Sequence, residues 1–273
     1  MHPFQKPNLV YLGCKMNNSI LQIENHRGLC ILYLNKPQQH NAFDPELILA
    51  LTAALNQAEQ DATVNTVVLA ARGKNFSAGA DLNWMQAMAN YGLDENKRDA
   101  QNLAHLLQTL AQFPKPTMAL VQGAAFGGAI GLIACCDLAL AAEEAYFCLS
   151  EVKLGLVPAV ISPYIIRALG ERQARRYMLT AERFNASEAQ KLGLIHQVVA
   201  EAQLFQAGEK LYQQLQGNCP EALAQVKRLV QTLAHKPIDE AAIAYTCEAL
   251  AEARLRSSTQ QRLKRFLTKK ADS

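Results

Sequence analysis

Two side-chain-poor stretches, SAGADL (Ser77 to Leu82) and AAFGGAIG (Ala124 to Gly131), stand at the expected ends of two strands. Small residues let backbone N–H groups approach a ligand closely. Gly128 falls where a helix should begin, and there unpaired N–H groups and the positive end of the helix dipole favour an anion. Two such N–H groups converging on one oxygen would make an oxyanion hole, in which each donor is worth about 10²- to 10³-fold in rate. The plain alternative is packing, with glycine present only to let two elements touch. Glycine in a helix costs about 1 kcal/mol against alanine, so Gly127 and Gly128 call for one reason or the other.

Other chemistries fit less well. TMALVQG followed by glycines and a helix has the outline of a nucleotide fold. Gly123, Gly127, Gly128 and Gly131 do not make GxGxxG, however, and ARGKN at Ala71 to Asn75 is no phosphate loop. NFSAG (Asn75 to Gly79) lacks the first glycine of G-x-S-x-G, which makes Ser77 a poor nucleophile. No Cys or His cluster has metal-ligand spacing, and the 7 cysteines read as reduced, mostly buried thiols. The net charge of +3 is small for a dedicated nucleic-acid protein. The basic end RLRSSTQQRLKRFLTKKADS reads as a solvated helix face, or else as a contact for an anionic ligand or RNA. The first residues hold no apolar stretch of signal-peptide length. No run reaches about 18 apolar residues. The expectation is a cytoplasmic protein with no membrane partner.

The elements that must position the two bare stretches follow from the hydrophobic pattern. SILQIENHRGLCILYLN (Ser19 to Asn35) predicts a hairpin about ENHRG. Asp44 is placed to N-cap a helix with Pro45 at its first position, and ELILALTAALNQAEQDA is amphipathic. TVVLAA predicts a buried strand, and Asp81 a second cap. ENKRDAQNLAHLLQTLAQF predicts a helix stopped by PKP, TMALVQG a strand, FGGAIGLIACC a helix, and LALAA and AYFCLS further strands. Alternating strands and helices with short turns argue a mostly parallel α/β sheet wrapped by helices. From AQLFQAGEKLYQQLQ onward the pattern is helical, with starts at Pro220, Glu221 and at Ile238, Asp239. The division is a core over 1–200 and a helical tail over 201–273.

LNKPQQHNAF, NFSAGADL, VQGAAFGGAIGLIACCDLALA, FCLSEVKLGLVP and LTAERFNASEAQKLGLIHQVV, in that order, resemble the crotonase family of enoyl-CoA hydratases and isomerases. The resemblance implies a ββα superhelix core with a C-terminal helical trimerisation domain, and a homo-oligomer, trimer or hexamer. It implies an acyl-CoA thioester whose carbonyl oxygen is held by the N–H groups of Ala80 and Gly128. Gln38, His40 and Ala42 would line the nucleotide end of CoA, with Ala78, Asp81 and Leu82 nearby, and Gly127, Gly131 and Pro158 belong to the matched site motifs. CoA comes with the substrate, so such chemistry needs no metal or redox cofactor.

Many hydratases of that family use two glutamates, and one of the two positions here is Gly131. The other is Glu151, so one carboxylate is present. That count leaves a hydratase and a Δ3,Δ2-enoyl-CoA isomerase both open, and a non-catalytic RNA- or acyl-CoA-binding protein is a third reading. A single glutamate can deprotonate water and return the proton to carbon α. Glu151's plain alternative is a surface charge at a strand end. The segment LSEVKLGLVPAVISPY resembles the branch of 3-methylglutaconyl-CoA hydratases and their isohexenylglutaconyl-CoA relatives. Such a substrate carries a second carboxylate, which needs a cation in the acyl pocket. Lys153 is the first candidate: on a strand it would share Glu151's face. Arg175 and Arg176 are better placed on a helix surface. Family chains often continue to a phenylalanine and a lysine that touch CoA phosphate; Lys269 and Lys270 of TKKADS are candidates to substitute, the alternative being a frayed end.

Overall fold

The computed structural model describes residues 20–234 and 236–271. The reading that the first residues carry no leader falls outside them, as do the side chains of Lys269 and Lys270. The hairpin forms as expected: β1 (Leu21–His26) pairs antiparallel with β2 (Leu29–Leu34). Its turn is Arg27–Gly28, both at positive φ. From β2 the sheet runs parallel through β3 (Thr66–Ala71), β4 (Thr117–Val121), β6 (Leu138–Ala142) and β9 (Gln197–Val199).

A second, three-stranded sheet holds β5 (Ala124–Phe126), β7 (Tyr146–Cys148) and β8 (Phe184–Asn185). The chain therefore winds as a strand–strand–helix coil. β4 lies in the large sheet and β5 in the small one, followed by α4 (Gly128–Cys135). β6 and β7 repeat the step before α5 (Ser162–Leu169). Gly123 makes the corner between β4 and β5. It sits at φ +59, and a Cβ there would lie 2.1 Å from the Lys74 carbonyl oxygen, so only glycine fits.

Both faces of the large sheet are covered, which is why β3 and β4 read as continuous apolar runs. Val67 and Leu69 face one side with Val121 of β4. There they meet Leu47, Leu51 and Leu55 of α1 (Pro45–Gln60) and Leu106, Leu107 and Leu110 of α3 (Leu93–Ala111). Val68, Met118, Leu120 and Leu140 face the other, under Leu204 and Leu211 of α8 (Leu204–Gln216). Asp44 caps α1 through Leu47 N–H at 2.8 Å, and Asp81 caps α2 (Leu82–Met88) through Asn83 and Trp84. After α6 (Glu171–Thr180) and α7 (Ala186–Lys191) come α8, α9 (Pro220–Leu233), α10 (Glu240–Leu255) and α11 (Ser257–Ala271), so the C-terminal part is helical. Among the described residues no helix is long and apolar enough to cross a membrane.

Candidate active site

The two bare stretches meet. Ser77 and Ala125 form a parallel bridge, in which Ser77 N–H donates to Ala124 O and Phe126 N–H to Ser77 O, both at 3.0 Å. Counting three residues on from each bridge partner arrives at Ala80 and at Gly128. Phe43 links the two positions: it bridges Ala80 in parallel, and a Cβ on Gly128 would lie 3.3 Å from Phe43 Cδ2. A third segment borders them: Phe43 N–H donates to Gly79 O and Asp81 N–H to Phe43 O, both at 2.7 Å.

Backbone hydrogen bonds around these residues are otherwise spent. Ala78 N–H donates to His40 O at 3.0 Å, Gly79 N–H to Ser77 Oγ at 3.3 Å, and Gly127 N–H to Cys148 O at 3.0 Å. Among the described residues the N–H groups of Ala80 and Gly128 find no acceptor, and Ala129, one residue into the helix, is the other open donor on that turn. Backbone donors left open beside one another mark a place for a ligand acceptor.

Glu151 arrives against this pair. A Cβ on Gly127 would lie 2.9 Å from Glu151 Oε1, so the carboxylate rests directly on the glycine loop. Gly127 itself sits at φ +52. Glu151 Oε2 is buried with no hydrogen-bond partner. Burial pushes the Glu151 carboxyl above its ordinary range, and its own backbone N–H offsets this in part. It is therefore no surface charge. A buried, unpartnered carboxylate on a glycine loop with open N–H groups has the chemistry to move a proton near a bound acceptor oxygen.

The structure corrects two expectations. Glu151 and Lys153 do not lie on a strand. They belong to one turn of 3₁₀ helix, Glu151–Leu154, closed by Gly155 at φ +72. At three residues per turn, positions two apart do not share a face, and Lys153 is exposed. Gly131 does not line a cleft: it is buried, and a Cβ there would lie 2.4 Å from Ile161 Cγ2 and 3.4 Å from Leu107 Cδ2. The place of the absent second carboxylate is filled by apolar packing.

The remaining expected residues spread along the rim. Gln38 and His40 are exposed in a turn, Ala42 is buried, Ala78 and Asp81 are half-buried, and Leu82 is 80% exposed at the start of α2. Pro158 is half-buried after the 3₁₀ turn. Arg175 and Arg176 are on the surface of α6, as expected, paired with Glu171 and Glu182. Ser77 is fully buried. Four of the free cysteines, Cys30, Cys135, Cys136 and Cys148, are buried, Cys219 partly so, and Cys247 is exposed.

Sequence reasoning missed the buried amides that hold the loops together. Asn41, at φ +54, donates to Arg72 O and Asn75 O, each at 2.8 Å, and accepts from Lys36 N–H. Asn75 Oδ1 accepts from Ala124 N–H at 2.9 Å, and Gln122 Nε2 donates to Ala71 O at 2.9 Å. The one available signal was the pairing of asparagines with tight glycine turns.

The profile of the family described as Enoyl-CoA hydratase/isomerase matches residues 24–272. The chain belongs to the enoyl-CoA hydratase/isomerase family. A Thermus thermophilus relative provisionally named an enoyl-CoA hydratase is 36% identical over 214 residues, covering 78% of this chain and 84% of that protein. A solved Shewanella pealeana enoyl-CoA hydratase is 46% identical, with a TM-score of 0.89, covering 92% of this chain and 94% of that one. A Legionella pneumophila structure provisionally named a crotonase is 45% identical, with a TM-score of 0.89, over 93% and 98%. The fold is thus the crotonase-like α/β fold, and the names of this family's members accord with a hydro-lyase acting on an acyl-CoA thioester.

Proposed function

We propose that the protein hydrates a 2-enoyl-CoA, with Ala80 and Gly128 N–H groups as the oxyanion hole and Glu151 as the single acid and base. The observation that carries this is the Glu151 carboxylate, with Oε1 set against the Gly127 position and Oε2 buried without a partner. Ionised Glu151 takes a proton from water as the water oxygen bonds to carbon β. The electron pair of the double bond moves onto the thioester oxygen, where the two amides meet it. Collapse of this enolate takes the proton back from Glu151 onto carbon α, so water adds to one face. No external cofactor enters this sequence, because CoA is part of the substrate.

The substrate we favour is 3-methylglutaconyl-CoA, giving 3-hydroxy-3-methylglutaryl-CoA, on the resemblance of the segment about Glu151. Lys153, exposed and turned off Glu151's face, does not support it as the cation for the far carboxylate. The apolar filling of Gly131 favours keeping a second reading, the Δ3,Δ2-enoyl-CoA isomerase, which also needs only one carboxylate. A trimer or hexamer is proposed with it, since Val230 at 61% and Leu255 at 82% exposure leave large apolar side chains on the C-terminal helices. That role for the tail keeps the division into 1–200 and 201–273. A cytoplasmic location is kept as a proposal.

Incubation with trans-2- and cis-3-enoyl-CoA in oxygen-18 water separates the readings. Hydration puts label into a product hydroxyl; double-bond migration without label supports the isomerase. A panel that includes 3-methylglutaconyl-CoA tests the substrate: an equal kcat/KM for a straight-chain enoyl-CoA would remove that assignment.

A further inference from the structure

Asn75 joins the oxyanion segment to a histidine. Its side chain is buried, and its two amide atoms face different loops. Ala124 N–H points at Asn75 Oδ1 at 2.9 Å, and His40 Nδ1 lies 3.0 Å from Asn75 Nδ2. A main-chain N–H can only donate, so the amide oxygen must face Ala124 and the NH₂ must face the ring. Nδ2 is then a donor, and His40 Nδ1 must bring a lone pair. The neutral ring consequently carries its proton on Nε2, at the opposite edge. His40 is held in place by its backbone as well: it sits at φ +51 and its carbonyl takes Ala78 N–H at 3.0 Å, two residues before Ala80.

We propose that Asn75 is a positioning residue that locks His40 as a hydrogen-bond donor through Nε2, available to an acceptor oxygen of a bound acyl-CoA. The second half of that statement rests on the acyl-CoA reading above; the tautomer does not. The same amide anchors Ala124, four residues before Gly128, so one side chain sets both the histidine's tautomer and the start of the segment that carries the proposed hole. Asn41 fixes Asn75 from the other side through its carbonyl.

Nitrogen-15 NMR of the histidine-labelled full chain tests the lock, with His40→Phe assigning the resonance. His40 Nδ1 should be bare in the wild type. In Asn75→Asp, whose second oxygen can only accept, Nδ1 should become protonated. Kinetics test the consequence. His40→Phe and Asn75→Ala should each raise KM for the enoyl-CoA about tenfold, the value of one hydrogen bond. The double variant should raise it no further, because Asn75 acts on KM through His40. Asn75→Ala alone should also lower kcat, through loss of the Ala124 anchor. A wild-type Nδ1 that carries the proton overturns the lock, and KM effects that multiply overturn the action through His40. Absence of any enoyl-CoA turnover in the wild type would instead count against the proposed reaction, with the NMR result still deciding the tautomer.

Discussion

At the scale of single residues the account rests on Glu151. Its raised pKa, caused by burial, has two consequences of opposite sign. The base form is needed to deprotonate water, so the acid limb of kcat/KM against pH should lie above the ordinary glutamate value of about 4.3. Stability runs the other way. A carboxyl whose folded pKa is raised contributes stability that is fully present below its unfolded pKa and is lost as pH rises through the folded one. Glu151→Gln should therefore lower kcat by about 10²- to 10⁴-fold while raising Tm at neutral pH, an advantage that fades in acid. A Tm gain equal at all pH values would contradict the burial argument. The carboxylate was legible in the sequence because its flanks match a motif. The condition under which Lys153 would share Glu151's face fails, because β7 ends at Cys148, short of the end of AYFCLS at Ser150, and the chain turns into a 3₁₀ helix. Asn41, Asn75 and Gln122 were not legible as a set: their partners are backbone groups of distant loops, which no local pattern encodes.

At the scale of elements, the glycines decide where loops and helices approach. Gly127→Ala places a side chain at φ +52 and 2.9 Å from Glu151 Oε1. It should destabilise the fold by about 1–3 kcal/mol and lower kcat by displacing the carboxylate, both measurable by denaturant unfolding and initial rates. Gly131 marks the contact of α4 with Ile161 and α3. Gly131→Ala should cost about 1–3 kcal/mol by overpacking, and Ile161→Ala in the same chain should recover part of it, because the clash is with that one side chain. Additive losses on unfolding would contradict this contact. The helix caps at Asp44 and Asp81, the hairpin and the long strands could be read from residue type and period. β5, β8 and β9 could not: two or three residues are too short for alternation to show, and they exist because the coil brings them beside other strands.

At the scale of the whole molecule, α8 packs on the sheet and α9 adds a polar attachment for the helices that follow. Lys227 Nζ reaches Asp137 Oδ2 at 2.7 Å and Lys115 O at 3.3 Å, and Asp137 also accepts from Thr117 N–H at 2.8 Å. Lys227→Met should loosen this attachment and speed proteolysis after α8, with little change in the unfolding of the sheet. Helix content beyond residue 200 was plain from the pattern; where each helix docks was not, since Lys227 and Asp137 are far apart in the chain. The coil of strand, strand and helix brings Ala80, Gly128 and Glu151 together from three separate segments, and this convergence is the claim on which the account stands. A crystal structure of Glu151→Gln with an enoyl-CoA bound tests it most directly. The thioester oxygen should accept from the N–H groups of both Ala80 and Gly128, with residue 151 beside carbons α and β. A thioester oxygen turned away from those nitrogens, or residue 151 facing solvent with ligand in place, would contradict it.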